Sequence, residues 1–193
     1  MIIGLTGSSG SGKTLASDFF TEQGFFVIDF DKISKNVCGK ASPCLNELLD
    51  FFGDSILNAD KTLNRKHLGE IVFKDKDKLK KLNSITNKYI MESAKELLSL
   101  HKGENIVLDA PLLFEAGLNK WCNITLSVIS DIAVQIKRIT ERDGISEDVA
   151  KARIANQHDE EFFFSNSDYV IKNDGTIDEF REKLQNFLED ISQ

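Results

Sequence analysis

Eight residues near the amino terminus, Gly7-Ser8-Ser9-Gly10-Ser11-Gly12-Lys13-Thr14, match the phosphate-binding pattern G-x-x-x-x-G-K-[ST]. A polyphosphate needs donors that approach without side-chain obstruction, and glycines let successive backbone N–H groups curl around the anion. Gly10, Ser11 and Gly12 form that cradle, Lys13 adds a point charge for the β- and γ-phosphates, and the Thr14 hydroxyl is suited to Mg²⁺. An ordinary Gly/Ser turn is the plainer alternative. The context weighs against it: Met1–Leu5 is an apolar, β-branched strand signal, and Leu15, Ala16, Phe19 and Phe20 recur at helical spacing behind the loop. The following helix would point its positive end at the ligand.

Carboxylates close the next two strands. Phe25–Ile28 predicts a buried strand ending at Asp29-Phe30-Asp31. Strand alternation would put Asp29 and Asp31 on one face and Phe30 on the other, at the sheet edge where open α/β folds bind ligands. The competing reading has one Asp capping a helix over Lys32–Val37. Asn105–Asp109 predicts the third strand, and Asp109 takes the position of a carboxylate that holds Mg²⁺ directly or through water. The chain then leaves the sheet through Ala110-Pro111-Leu112-Leu113-Phe114-Glu115, where Glu115 is either a surface residue or a second acid beside Asp109.

Arginine is scarce: the chain has five, at 65, 138, 142, 153 and 181. Arg65 is a bidentate donor amid lysines, which suggests anion recognition. Arg138 and Arg142 share a face of a helix predicted over Ser130–Arg142. Gly144 breaks that helix, Ser146 caps the next, and Arg153 lies within it. A helix, a break and a helix with convergent arginines is how a lid delivers charge to a transferring phosphoryl group. The alternative is Glu/Arg pairing on exposed helices, for instance of Glu141 with nearby bases.

The elements that position these groups alternate as in a parallel sheet. Asn123–Ile129 and Asp168–Ile171 supply the fourth and fifth strands, Asn173-Asp174-Gly175 a turn, and Thr176-x-x-Glu179 a capping box for a helix through Leu188. From Ser42 to Leu100 the strand signal disappears. Ser42-Pro43 starts a helix with Leu45, Leu48, Leu49 and Phe52 on its apolar face; Leu63–Phe73 forms a second, and Leu79 to Leu98 a long third. So much helix between two strands exceeds one crossover and predicts an inserted subdomain. The expected organisation is a single chain with a core near 1–31, 104–130 and 166–193, a helical insertion over 32–103 and a lid over 138–165.

Composition sets the outer bounds. A chain of 193 residues with 41% hydrophobic and 28% charged residues suits one soluble α/β domain with insertions. A net charge of −7 argues against nucleic-acid or membrane-surface partners, which need a basic face. Cys38, Cys44 and Cys122 lack C-x-x-C spacing and read as buried thiols of a reducing compartment. No secretory signal or membrane-length apolar run is visible, so a cytoplasmic protein is expected.

Taken together the segments resemble the dephospho-coenzyme A kinase family. The resemblance runs through Leu5-Thr6-Gly7 with Gly10–Thr14, Val27–Asp31, Leu63-Asn64-Arg65 with Leu68–Phe73, and Asp109–Glu115. It continues through Arg142–Ser146 with Ala152–Gln157, and Asp168–Ile171 before Asn173-Asp174-Gly175. Three positions depart from the pattern: Ser8-Ser9 in the loop, Phe30 between the aspartates, and Asn87-Lys88 where a His-Pro pair is common. The resemblance implies a three-layer P-loop kinase fold with a five-stranded parallel sheet, a helical substrate-binding insertion and a helical lid. It implies transfer of the ATP γ-phosphate, with Mg²⁺, to the ribose 3′-hydroxyl of dephospho-coenzyme A. Asp31 would then orient the acceptor hydroxyl, with Lys13 and Arg142 as the other catalytic groups and Asp29 in support. Arg138, Asn173 and Gly175 would contact the nucleotide, Thr14 and Asp109 the metal, and Arg65, Leu112 and Glu115 the acceptor. Its partner would be that small molecule, and the chain a monomer or small homo-oligomer.

Two other functions fit the loop. A nucleoside or nucleoside monophosphate kinase shares the architecture, but the Pro-Leu-Leu-Phe-Glu segment speaks against it. A GTP-binding switch should carry N-K-x-D, whereas Asn87-Lys88 runs into Tyr89-Ile90; its D-x-x-G finds only Asp50 to Gly53, at the end of a helical stretch.

Overall fold

A computed structural model describes residues 1–192, in which five strands form one sheet in the order β2-β3-β1-β4-β5. The strands are β1 (Ile2–Gly7), β2 (Phe26–Asp29), β3 (Ile106–Asp109), β4 (Ile124–Ile129) and β5 (Tyr169–Lys172). The central strand β1 pairs in parallel with β3, bringing Leu5 opposite Asp109, and with β4, bringing Gly7 opposite Val128. Strand β5 extends the sheet beyond β4 with Val128 opposite Ile171. Central parallel strands are covered on both faces, which is why Ile3, Leu5, Val107, Leu126 and Val128 are all buried.

The chain divides into two compact units, one of Met1–Ile28 with the chain from Gly103 onward, the other Asp29–Lys102. In the first, helix α1 (Lys13–Glu22) and the C-terminal helix α9 (Ile177–Ile191) pack with the sheet around Phe19, Phe20, Phe180, Leu184 and Phe187. Phe20 meets Phe25 and Phe187 edge-on, at ring separations of 5.5 and 6.2 Å. The capping box at Thr176 is present, with both Thr176 and Glu179 engaged. Helices α6 (Ile132–Asp143), α7 (Glu147–Ala155) and α8 (Glu160–Asn166) occupy the stretch between β4 and β5.

The second unit contains α2 (Phe30–Asn36), α3 (Pro43–Phe52), α4 (Arg65–Val72) and the long α5 (Lys76–Leu100). Ser42 caps α3 and Pro43 opens it, as its sequence requires. Asp75 caps α5, so the lysine-rich run begins that helix on an acid that satisfies two backbone donors. A separate apolar core joins Leu48, Ile56, Leu68, Val72 and Ile85 with Cys38 and Cys44. Among the described residues no helix is long and apolar enough to cross a membrane.

One boundary differs with consequence. The second strand stops at Asp29, and Phe30 already belongs to α2. The strand alternation expected for Asp29 and Asp31 is therefore absent. Asp29 is the N-cap, its Oδ1 accepting from Lys32 N at 2.9 Å, and Asp31 sits in the first helical turn. The capping alternative prevailed, because a helix start leaves donors that a nearby carboxylate satisfies.

Burial pushes the Cys44 and Cys122 thiols up to about 12. At pH 8 the reactive thiolate is then on the order of one part in ten thousand, against roughly a quarter for an ordinary thiol of pKa 8.5. A colorimetric thiol assay at pH 8 should find Cys44 and Cys122 silent in the folded protein and reactive in guanidinium; rapid native labelling at either would contradict their burial.

Candidate active site

The phosphate loop owes its shape to glycines at left-handed positions. Gly10 has φ +78° and Gly12 φ +105°, conformations that L side chains rarely adopt. A Cβ on Gly10 would press on the Gln135 carbonyl at 3.0 Å and on Ile139 Cγ1 at 3.1 Å, so the loop lies directly against α6. Gly12 is also the N-cap of α1 and offers no side-chain cap. The first backbone donors of α1 are left for an anion, as a phosphate cradle requires.

Lys13 and Asp109 meet as an ion pair, and Ser17 Oγ donates to the other Asp109 oxygen at 2.7 Å. Asp109 is only 6% exposed, so these donors offset the cost of burying its charge. The expected metal-facing carboxylate thus has both oxygens engaged by protein donors. Thr14, by contrast, is exposed at the start of α1. Ser17 did not stand out in the sequence, although it lies four residues beyond Lys13 on the same helix face.

Arg138 and Asn173 lie together under the loop. Arg138 Nη1 donates to the carbonyls of Gly10 at 3.3 Å, Ser11 at 3.4 Å and Asn173 at 2.9 Å, and to Ser130 Oγ at 3.1 Å. Asn173 is 2% exposed and its Nδ2 donates to the Ser11 carbonyl at 2.7 Å. Asn173, expected with Arg138 and Gly175 to contact the nucleotide, thus has a side-chain donor engaged with the loop itself. Gly175 is exposed in the same turn, and Asp174 accepts from Asp131 N at 2.7 Å.

Arg142 does not accompany Arg138. It forms a two-point pair with Asp143, at 2.7 and 3.0 Å, and Asp143 also pairs with Arg153. Both arginines are thus ion-paired, with Asp143 as the acid and not Glu141. The two guanidinium groups hold the Asp143 carboxyl well below the usual carboxylate range.

Glu115 accepts or shares a proton with His158 Nε2 at 2.7 Å, and the His158 ring stacks on Phe162 at 3.6 Å. Phe162 also meets Phe114 edge-on, so the Pro-Leu-Leu-Phe-Glu segment touches α8 through Phe114 and the residues just before it through Glu115. Leu112 in that segment is 63% exposed. Gln157 Oε1 accepts from Ser9 N at 2.8 Å, which joins the second residue beyond α7 to the loop. Ser8, Gln135, Ile154, Gln157, His158 and Phe163 help to line an open cleft of about 610 Å³ beside the loop. Among its lining residues, Ser8 Oγ and Gln135 Oε1 are buried and have no hydrogen-bond partner among the described residues. Neither Gln157 nor His158 carried a local signal of this placement.

In the second unit, Arg65 Nη2 donates to the Lys35 carbonyl at 2.8 Å, so Arg65 ties α4 to α2. Asp31 is exposed on α2.

Two outcomes follow. Ser17→Ala removes a charged hydrogen bond from Asp109 and should lower stability by about 1–3 kcal/mol in urea unfolding. For Asp143 the folded-state value is depressed, so its ion pairs are complete above the ordinary carboxylate value and lost only well below it. Proteolytic cutting near Gly144 should be unchanged in the natural protein between pH 7 and about 4.5, yet faster in Asp143→Asn already at pH 7; equal cutting of the two would deny the pairs a role in ordering the segment.

With this geometry in place, comparison with known proteins is specific. The family model for dephospho-CoA kinase matches residues 1–179. A dephospho-CoA kinase of Fusobacterium nucleatum is 41% identical over 191 residues, covering 99% of this chain and 98% of its own. Among solved structures, TT1252 from Thermus thermophilus superposes with a TM-score of 0.83 at 27% identity, covering 98% of this chain and 97% of that one. Dephospho-CoA kinase from Campylobacter jejuni gives a TM-score of 0.74 at 28% identity, covering 99% of this chain and 96% of the other. On the family match through phosphate loop, insertion and late helices alike, the chain belongs to the dephospho-CoA kinase family.

Proposed function

We propose that this protein transfers the γ-phosphoryl group of ATP to the ribose 3′-hydroxyl of dephospho-coenzyme A, yielding coenzyme A. The observation that carries the reading is the phosphate loop, shaped for a polyphosphate, in a chain whose family is defined by that reaction. Gly10 to Thr14 bind the ATP phosphates. Lys13 rests on Asp109 and turns to the β- and γ-phosphates when they arrive, which frees one Asp109 oxygen. Mg²⁺ suits this site because the Thr14 hydroxyl is exposed beside the cradle and hard oxygen donors are at hand. When bound, the ion neutralises phosphate charge and orients the γ-group.

Asp31 orients the acceptor hydroxyl and takes its proton, a choice favoured by its exposure, whereas Asp29 has an oxygen committed to capping α2. Phosphoryl transfer passes through a loose transition state, so positioning matters more than full deprotonation. Arg142 stabilises the charge of the transferring group after leaving Asp143, and Arg65, Leu112 and Glu115 serve the acceptor. Closure of the helices around Gly144 would exclude water that otherwise hydrolyses ATP.

Purified protein with Mg-ATP should phosphorylate dephospho-coenzyme A in preference to adenosine and nucleoside monophosphates; the opposite ranking would overturn the assignment. Asp31→Asn should keep ATP affinity and lose about two to four orders of magnitude in turnover. Near-normal turnover of that variant would move the role elsewhere.

A further inference from the structure

We infer that Asn173 is a positioning residue for the phosphate loop, acting through the Ser11–Gly12 peptide and not through the nucleotide base. The inference rests on the reading of Gly7–Thr14 as a polyphosphate cradle. The Ser11 carbonyl is approached by three donors: Asn173 Nδ2 at 2.7 Å, Arg138 Nη1 at 3.4 Å and Ser130 Oγ at 3.4 Å. A trans peptide is planar, so a carbonyl drawn toward Asn173 sends the N–H of Gly12 the opposite way. The orientation of one cradle donor is therefore decided by a side chain 162 residues away.

Asn173 is itself held at fixed height. Its backbone N donates to the Ile129 carbonyl at 2.9 Å, and its own carbonyl accepts from Ser130 Oγ at 2.5 Å and Arg138 Nη1 at 2.9 Å. The ends of β4 and β5 and the start of α6 thus set where the amide stands. The fit to the loop is close: a Cβ built on Gly12 would run into Asn173 Nδ2. Gly12 is consequently required twice, by its left-handed φ and by the space that Asn173 fills. One Nδ2 hydrogen is committed to the Ser11 carbonyl, and at 2% exposure the Asn173 side chain offers almost no surface to a base.

The two roles separate when a ligand without a base is used. Binding of Mg-ATP and of magnesium tripolyphosphate should be measured by calorimetry on the natural protein, on Asn173→Leu, which is similar in size and uncharged, and on Ser130→Ala. If Asn173 positions the loop, Asn173→Leu should weaken both ligands by the same factor, about tenfold for one lost hydrogen bond, and Ser130→Ala should weaken both alike by a smaller factor. Turnover at saturating ATP should also fall, with amide shifts of Gly10 and Gly12 moving in the unliganded variant. Loss of ATP binding with tripolyphosphate binding intact would overturn the inference and return Asn173 to the base. Unchanged binding of both ligands in both variants would overturn it as well. If Asn173→Leu fails to fold, Asn173→Ser, smaller and still a donor, takes its place and should lie between the natural protein and full loss; intact tripolyphosphate affinity there with weakened ATP would again refute the proposal. A natural protein that binds ATP but no tripolyphosphate would instead sink the cradle reading on which the inference stands.

Discussion

The parallel pairing of β1 with β3 on one side and β4 on the other is the constraint on which the phosphate site depends. Parallel ladders align carboxyl ends, so Gly7, Asp109 and the segment after Ile129 emerge at one edge of the sheet. With Leu5 opposite Asp109, the carboxylate stands within reach of Lys13 and Ser17 on the helix that β1 feeds. A one-residue slip would turn Asp109 to the other face and leave its charge buried without these donors. Burial of both sheet faces by apolar side chains opposes such a slip, so the core specifies the chemistry at its edge.

In an acidic protein, oriented backbone groups can supply local positive potential for a polyphosphate. The net charge is −7, yet the loop presents peptide N–H groups and a helix N-terminus, whose partial charges act at contact distance. Two formal positive charges adjoin the loop: Lys13, paired with Asp109, and Arg138, whose guanidinium meets the Gly10 and Ser11 carbonyls. Arg142 and Arg153 share a single carboxylate, Asp143.

The helical unit is organised by different means. It contains no strand, and α5 runs for 25 residues past α2, α3 and α4 to give each a surface to bury against. Glu47 receives Lys88 at 2.9 Å and the Tyr89 hydroxyl at 2.7 Å, joining α3 to α5 at the position where Asn87-Lys88 departs from the family pattern. That departure thus has a structural use in this chain. The departure at Phe30 also has one: the ring is buried at the start of α2.

Local patterns along the chain were enough for the phosphate loop, the five strands, the capped starts of α3 and α9 and the existence of a helical insertion. Glycine spacing, capping residues and apolar period act over a few residues, and that range is what a sequence displays directly. The register of loop and strand ends also placed Lys13, Thr14, Asp31 and Asp109 among the candidates, whose roles remain those proposed above. Tertiary structure decided the partners. Lys13 finds Asp109 across 96 residues and Ser11 finds Asn173 across 162, pairings that no local period encodes. It also ended β2 at Asp29, two residues short of Asp31, where the demand of a helix start for a carboxylate cap overrode the alternation expected of Asp29 and Asp31. Residue type told what each group can do; only the folded register told which neighbour already occupies it.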